Sequence, residues 1–174
     1  MSHEYAAPWC RGVVIATSLS TLLLCAVPII GLNAGPHELL AWRALMLALP
    51  LIALPLGILF MVRGYRATAH GIEIERFGWS TRLPLAGLRR LCADPQALAG
   101  SVRRWGNGGF FGITGFYSNP RYGRFRAWAT DPARAVVLQF GGHTVMLTPD
   151  DPQRFVREVG DLAGLAASMR AEPV

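Results

Sequence analysis

The residues best equipped to hold a ligand lie between Arg103 and Arg126. Arg103, Arg104, Trp105, Phe110, Phe111, Arg121, Arg124 and Arg126 interleave guanidinium groups with aromatic rings, and six glycines fall between Gly100 and Gly115. Near an anionic leaflet each arginine gains about 1 kcal/mol, and an exposed tryptophan or phenylalanine can seat at the lipid interface. The stretch therefore reads as a loop facing a membrane or a partner. It reads equally as structure, with Trp105, Phe110 and Phe111 plugging a core and the arginines forming its solvated rim.

Other chemistries fail on residue type or spacing. All 17 basic residues are arginine, so neither the lysine of a P-loop nor a Schiff-base amine is available. The glycines from Gly106 to Gly112 miss the dinucleotide pattern, because Phe111 occupies the third glycine position. His3, His37, His70 and His143 are scattered, and Cys10, Cys25 and Cys92 lack metal-like spacing. The pairs Glu73/Glu75 and Asp150/Asp151 fit a solvent-facing strand side and a helix cap. No catalytic residue, metal or cofactor is expected, and the chain does not read as an enzyme. Arginine with aromatic rings also suits single-stranded nucleic acid, but no RNA-binding motif accompanies it and nucleic acid is not an expected partner.

Two uncharged apolar runs, Gly12 to Leu32 and Ala44 to Val62, must position this stretch. Each has about the 20 residues that cross a bilayer as a helix. The first is too long for the apolar region of a signal peptide and lacks its cleavage site. Gly35-Pro36 in the short connection predicts an antiparallel pair, Pro50 and Pro55 are tolerable in a membrane helix, and Ala53 with Gly57 reads as ordinary membrane-helix composition or, alternatively, as a close-approach surface. The connection carries only Arg43, whereas Arg11, Arg63, Arg66, Arg76 and Arg82 flank the outer ends. Both termini are thus expected in the cytoplasm. Residues 1–63 read as a multi-pass hairpin in a bacterial inner membrane and 64–174 as a cytoplasmic domain.

Beyond Gly64 the apolar period becomes two. Tyr65–Ala69 and Ile72–Glu75 alternate around His70-Gly71, Phe77-Gly78-Trp79 is a bend, and Ser80–Leu85 a third strand. Leu85, Leu88 and Leu91 suit either a strand or a helical turn. From Ala93 to Tyr122 the pattern lapses, with some strand expected around Phe116. It returns in Arg124–Thr130, Ala135–Phe140 and His143–Leu147, the last two joined at Gly141-Gly142, which suits a positive-φ turn. A closing helix is predicted with Thr148 as N-cap and Phe155, Val159, Leu162, Ala163, Ala166 and Met169 on one face.

Six or seven short strands and an amphipathic helix behind two membrane helices resemble the bacterial pleckstrin-homology (PH)-like membrane proteins. The similar segments are Gly71-Ile72-Glu73-Ile74, Trp79 to Pro84, Gly106 to Gly109, Tyr122 to Ala127, Ala129 to Pro132, and Thr148 to Pro152. The resemblance implies a mainly-β PH-like roll, a strongly bent sheet closed at one end by the C-terminal α-helix. PH domains that bind inositol phosphates carry basic residues on a long loop between their first two strands. Here that connection is only His70-Gly71. The expected role is a non-enzymatic, membrane-anchored interaction domain engaging a protein partner or a homo-oligomer. The alternative is an anionic lipid-headgroup module using Arg103, Arg104, Arg121, Arg124 and Arg126.

Overall fold

The computed structural model describes residues 3–36 and 38–166. Helix α1 (Arg11–Ala34) and helix α2 (Leu40–Phe60) form an antiparallel hairpin. Both are long and apolar enough to cross a membrane, and only 17% and 6% of their most apolar windows is buried. They are therefore not core helices, since most of their leucines and isoleucines face outward. The helices meet where small residues permit it. Trp42 Nε1 donates to the Gly31 carbonyl at 2.9 Å, and a Cβ on Gly31 would lie 2.7 Å from the Met46 sulfur.

Two sheets follow. Strands β2 (Gly64–Thr68), β3 (Gly71–Glu75) and β4 (Ser80–Leu83) form an antiparallel meander. A strand preceding the hairpin, β1 (His3–Ala6), adds to its edge, placing Tyr5 opposite Tyr65. No sequence signal marked this strand. It brackets the helices, so the chain enters α1 and leaves α2 from one sheet.

The second sheet contains β5 (Leu88–Ala93), β6 (Val102–Gly108), β7 (Ile113–Asn119), β8 (Gly123–Ala129), β9 (Val136–Phe140) and β10 (Thr144–Leu147). Its spatial order is β5-β9-β10-β8-β7-β6, with β8 and β10 parallel. Leu88 and Leu91 thus belong to a strand. Gly141-Gly142 does join β9 to β10, but without positive φ at either glycine. The described residues hold ten strands rather than six or seven, because β1 and β5 are strands and the Gly/Arg/aromatic stretch is a long hairpin, β6–β7, that adds β6.

The central strands are buried on both faces, which explains their continuous apolar character. Leu138, Val145 and Leu147 pack with Tyr65, Ile72 and Ile74 of the first sheet, while Val137 and Met146 turn toward Tyr117, Tyr122 and Phe125. Tyr65 pins the sheets together. Its hydroxyl donates to the Trp128 carbonyl at 2.6 Å and accepts from the Thr148 N–H at 3.2 Å.

Helix α3 (Pro152–Leu162) closes one end, with Phe155 edge-on to Tyr5 at 4.9 Å. Its N-cap is Asp151, whose carboxylate accepts from the Arg154 N–H at 2.9 Å, and not Thr148. Thr148 is buried, its hydroxyl accepting from the Thr130 N–H at 2.9 Å. The helix ends before Ala163 and Ala166, because Gly164 adopts a φ of +65°. Met169 lies outside the described residues.

Candidate binding groove

The β6–β7 hairpin carries five of the eight residues singled out by sequence. Its tip, Gly109 to Gly112, is laced by Asn107, which accepts from the Phe110 N–H at 3.1 Å and donates to the Phe110 carbonyl. The tip lies against both helices. Thr17 of α1 donates to the Gly109 carbonyl at 3.1 Å and accepts from the Phe111 N–H at 2.9 Å. On α2, a Cβ added to Gly57 would come within 2.6 Å of the Phe111 ring and 2.8 Å of Phe110. Gly57 thus seats the two phenylalanines. Phe111 also meets Trp9 edge-on at 6.0 Å. It is the one non-glycine residue with positive φ among those described, at 60°. A left-handed phenylalanine is costly, and the bond to Thr17 fixes it.

Trp79 makes a second anchor. Its Nε1 donates to the Leu59 carbonyl near the end of α2 at 3.0 Å, and its ring meets Phe60 edge-on at 5.6 Å. Between the two anchors lies a groove of about 620 Å³, within the usual range for a small-ligand site. Ala53, Leu56, Gly57 and Phe60 of α2 form one wall, and Trp79, Trp105 and Phe110 stand around it. Its floor is open because Gly106 and Gly115 face each other across the hairpin, both at positive φ.

Two arginines reach this groove. Arg126 sits on a rung with Phe116 and Trp105, its guanidinium 4.3 Å from the Trp128 ring and 5.2 Å from that of Phe116. Arg76, at the bend after β3, is 9% exposed and stacks on Trp79 at 4.1 Å. Its Nε has no hydrogen-bond partner among the described residues. Burial, and then the positive charge of Arg126, push the Arg76 pKa below the ordinary arginine value. The nearby carboxylates are engaged elsewhere. Arg66 holds Glu4 and Glu75 at 2.9 and 2.7 Å, and Arg82 holds Glu73 at 2.8 Å.

The remaining candidates are dispersed. Arg104, at a bulge, donates to Ser118 Oγ at 3.3 Å and shares a shallow depression with Arg124. Arg103 pairs in register with Tyr117, whose ring is buried on the face opposite Phe116. Arg121 lies in the β7–β8 turn at the far end of the hairpin, ion-paired with Asp94 at 2.9 Å. Asp94 also accepts from the Tyr122 hydroxyl at 2.7 Å. Trp105, Phe110 and Arg126 therefore come together, and Phe111 locks the tip from behind. Sequence reasoning missed Arg76 and Thr17 as parts of this site. The usable signal for Arg76 was its place three residues before Trp79, at the close of an alternating strand.

Residues 63–162 match the sequence model of the Bacterial PH domain family. The chain belongs to that family. No curated protein and no solved structure matches it. PH domains are in general non-catalytic binding modules, and this PH domain has its groove where the matched region meets α2. Its β2–β3 turn, where inositide-binding PH domains carry their basic loop, is at the other end of β2 from α2.

Proposed function

We propose that this protein is a non-catalytic binding module fixed to the cytoplasmic face of the bacterial inner membrane, with a groove that takes its ligand from the bilayer surface. Helices α1 and α2 cross the membrane in this reading, both domain-proximal ends lie in the cytoplasm, and residues 64 onward with β1 form the cytoplasmic domain. The carrying observation is the double anchorage of the domain to the hairpin, Thr17 to Gly109 and Phe111 on one side and Trp79 to Leu59 on the other. Thr17 is two turns into α1, about 9 Å along its axis. The groove between the anchors then sits at headgroup depth, and its α2 wall continues into the hydrocarbon.

Topology labelling tests the reading. In a chain with Cys10, Cys25 and Cys92 replaced by serine, single cysteines are introduced as His70→Cys in the β2–β3 turn and Glu38→Cys in the helix connection. A membrane-impermeant maleimide should label His70→Cys only from the cytoplasmic side and Glu38→Cys only from the opposite side. The reverse pattern refutes the reading.

A second reading, engagement of another copy of the chain, draws on β6. It is an edge strand of the larger sheet, and Val102 and Trp105 on it are 64% and 78% exposed. Such edges invite strand pairing. Disulfide cross-linking through Val102→Cys in native membranes tests it.

A further inference from the structure

Arg76 is 9% exposed as a residue, its Nε is buried without a partner among the described residues, and no carboxylate ion-pairs with it, an arrangement that packing alone does not explain. Arginine stays protonated in proteins, so burying Arg76 without a carboxylate is unfavourable unless an anion completes the site. Arg126, across the same groove, forms no ion pair among the described residues either, and its charge adds to the difficulty at Arg76. Their stacking on Trp79 and Trp128 orients both cations but neutralises neither.

The rest of the groove is mostly apolar, with Thr81, Asn107 and Thr114 the polar residues of its lining. Ala53, Leu56, Gly57 and Phe60 line a wall on the C-terminal half of α2, which carries no charged residue. A ligand matching both parts carries negative charge at one end and hydrocarbon at the other. We infer that the groove binds an anionic phospholipid of the leaflet it faces, with the phosphate between Arg76 and Arg126 and the start of an acyl chain against Ala53, Gly57 and Phe60. Guanidinium groups suit phosphate oxygens through charge-assisted hydrogen bonds. No carboxylate lines the groove to receive the ammonium of a zwitterionic headgroup, so net negative lipids are selected. The site differs from the arginine loop read from the sequence: Arg76 replaces Arg103, Arg104, Arg121 and Arg124 as the partner of Arg126. The inference rests on the groove lying at the bilayer surface, as proposed above.

The test is titration of the full chain, in a neutral detergent, with dioctanoyl phosphatidylglycerol, dioctanoyl phosphatidylcholine and inorganic phosphate. Tryptophan fluorescence is the readout, because Trp79, Trp105 and Trp128 line the groove. Phosphatidylglycerol should saturate, with phosphatidylcholine and inorganic phosphate each about tenfold weaker or more. Arg126→Gln, at an exposed position, should weaken phosphatidylglycerol about tenfold and narrow its margin over phosphatidylcholine. Arg126→Lys should restore part of the loss, and Arg103→Gln should behave as the parent. Arg76→Gln should match Arg126→Gln; if it does not accumulate folded, Arg126→Gln decides alone. Equal affinity for the two lipids, an unchanged Arg126→Gln, or phosphate binding as tightly as phosphatidylglycerol overturns the inference. Equal binding of the two lipids leaves the membrane-surface reading standing. Labelling of His70→Cys from the outer side defeats that reading even where phosphatidylglycerol binds in detergent.

Discussion

The hydroxyl of Thr17 accepts the backbone N–H of Phe111 at 2.9 Å, tying the second turn of an apolar helix to a hairpin tip 94 residues later in the chain. The same hydroxyl donates to Gly109, so one side chain satisfies two backbone groups of the tip. Thr17→Val keeps the shape and removes both bonds. Leaving buried polar groups unpaired costs roughly 1–3 kcal/mol, and the melting temperature in detergent should fall accordingly, while Thr17→Ser should stay close to the parent. Equal melting of all three chains would show that the tip is not held there.

Gly57 is needed for space. Gly57→Ala places a methyl group against the Phe110 and Phe111 rings, and overpacking of this kind costs about 1–3 kcal/mol. Phe111→Ala should absorb part of that cost, so the double variant should be less destabilised than the sum of the singles. Additive losses would mean that Gly57 and the tip are independent.

Tyr65 gives the fold an alkaline limit. Burial raises its hydroxyl pKa from 10.0 to about 12. Across that window the unfolded chain releases a proton that the folded chain retains, so stability is full below pH 10 and falls as pH rises to 12. Tyr65→Phe should start lower, since the Trp128 carbonyl and Thr148 N–H lose their partner, but decline less steeply over pH 10–12. Parallel melting curves for the two chains would contradict this assignment.

Asp94 joins the β5 end to the β7–β8 turn, accepting from Tyr122, Arg121 and the Gln96 N–H. Asp94→Ala should cost about 2–3 kcal/mol through its hydrogen bonds to a buried carboxylate. Arg121→Ala should cost about 1 kcal/mol or less, because that side chain is 36% exposed. Phosphatidylglycerol affinity should be unchanged in Arg121→Ala. A loss there would move the lipid site to the far end of the hairpin.

What the sequence disclosed depended on how local each cause is. Unbroken apolar runs identify α1 and α2, because most of their side chains face outward and need no partner element to explain them. Alternation identifies β2, β3 and β4, each with one buried face. The β6–β7 hairpin escaped because β6 is an edge strand with almost every residue exposed, so no face imposes a period of two. β1 escaped for a different reason. Only Tyr5 of its four residues is buried, and the strand exists because β2 lies beside it. At the site, Trp105, Phe110 and Arg126 were legible as types, whereas the role of Arg76 arises from Trp79 and α2 closing over it. Trp79 is local to position 76, whereas α2, which completes that burial, is an earlier element of the chain.

The bracketing of the hairpin by β1 and β2 also sets an order of events during synthesis. β1 emerges first and must wait, unpaired, until both helices have been made and β2 follows them. Chains emerge N-terminus first, so the four-stranded sheet is completed only after the hairpin exists. Once His3–Ala6 has paired with Gly64–Ala67, the outer ends of both helices are held on one sheet, and β1 serves as the latch that closes the hairpin.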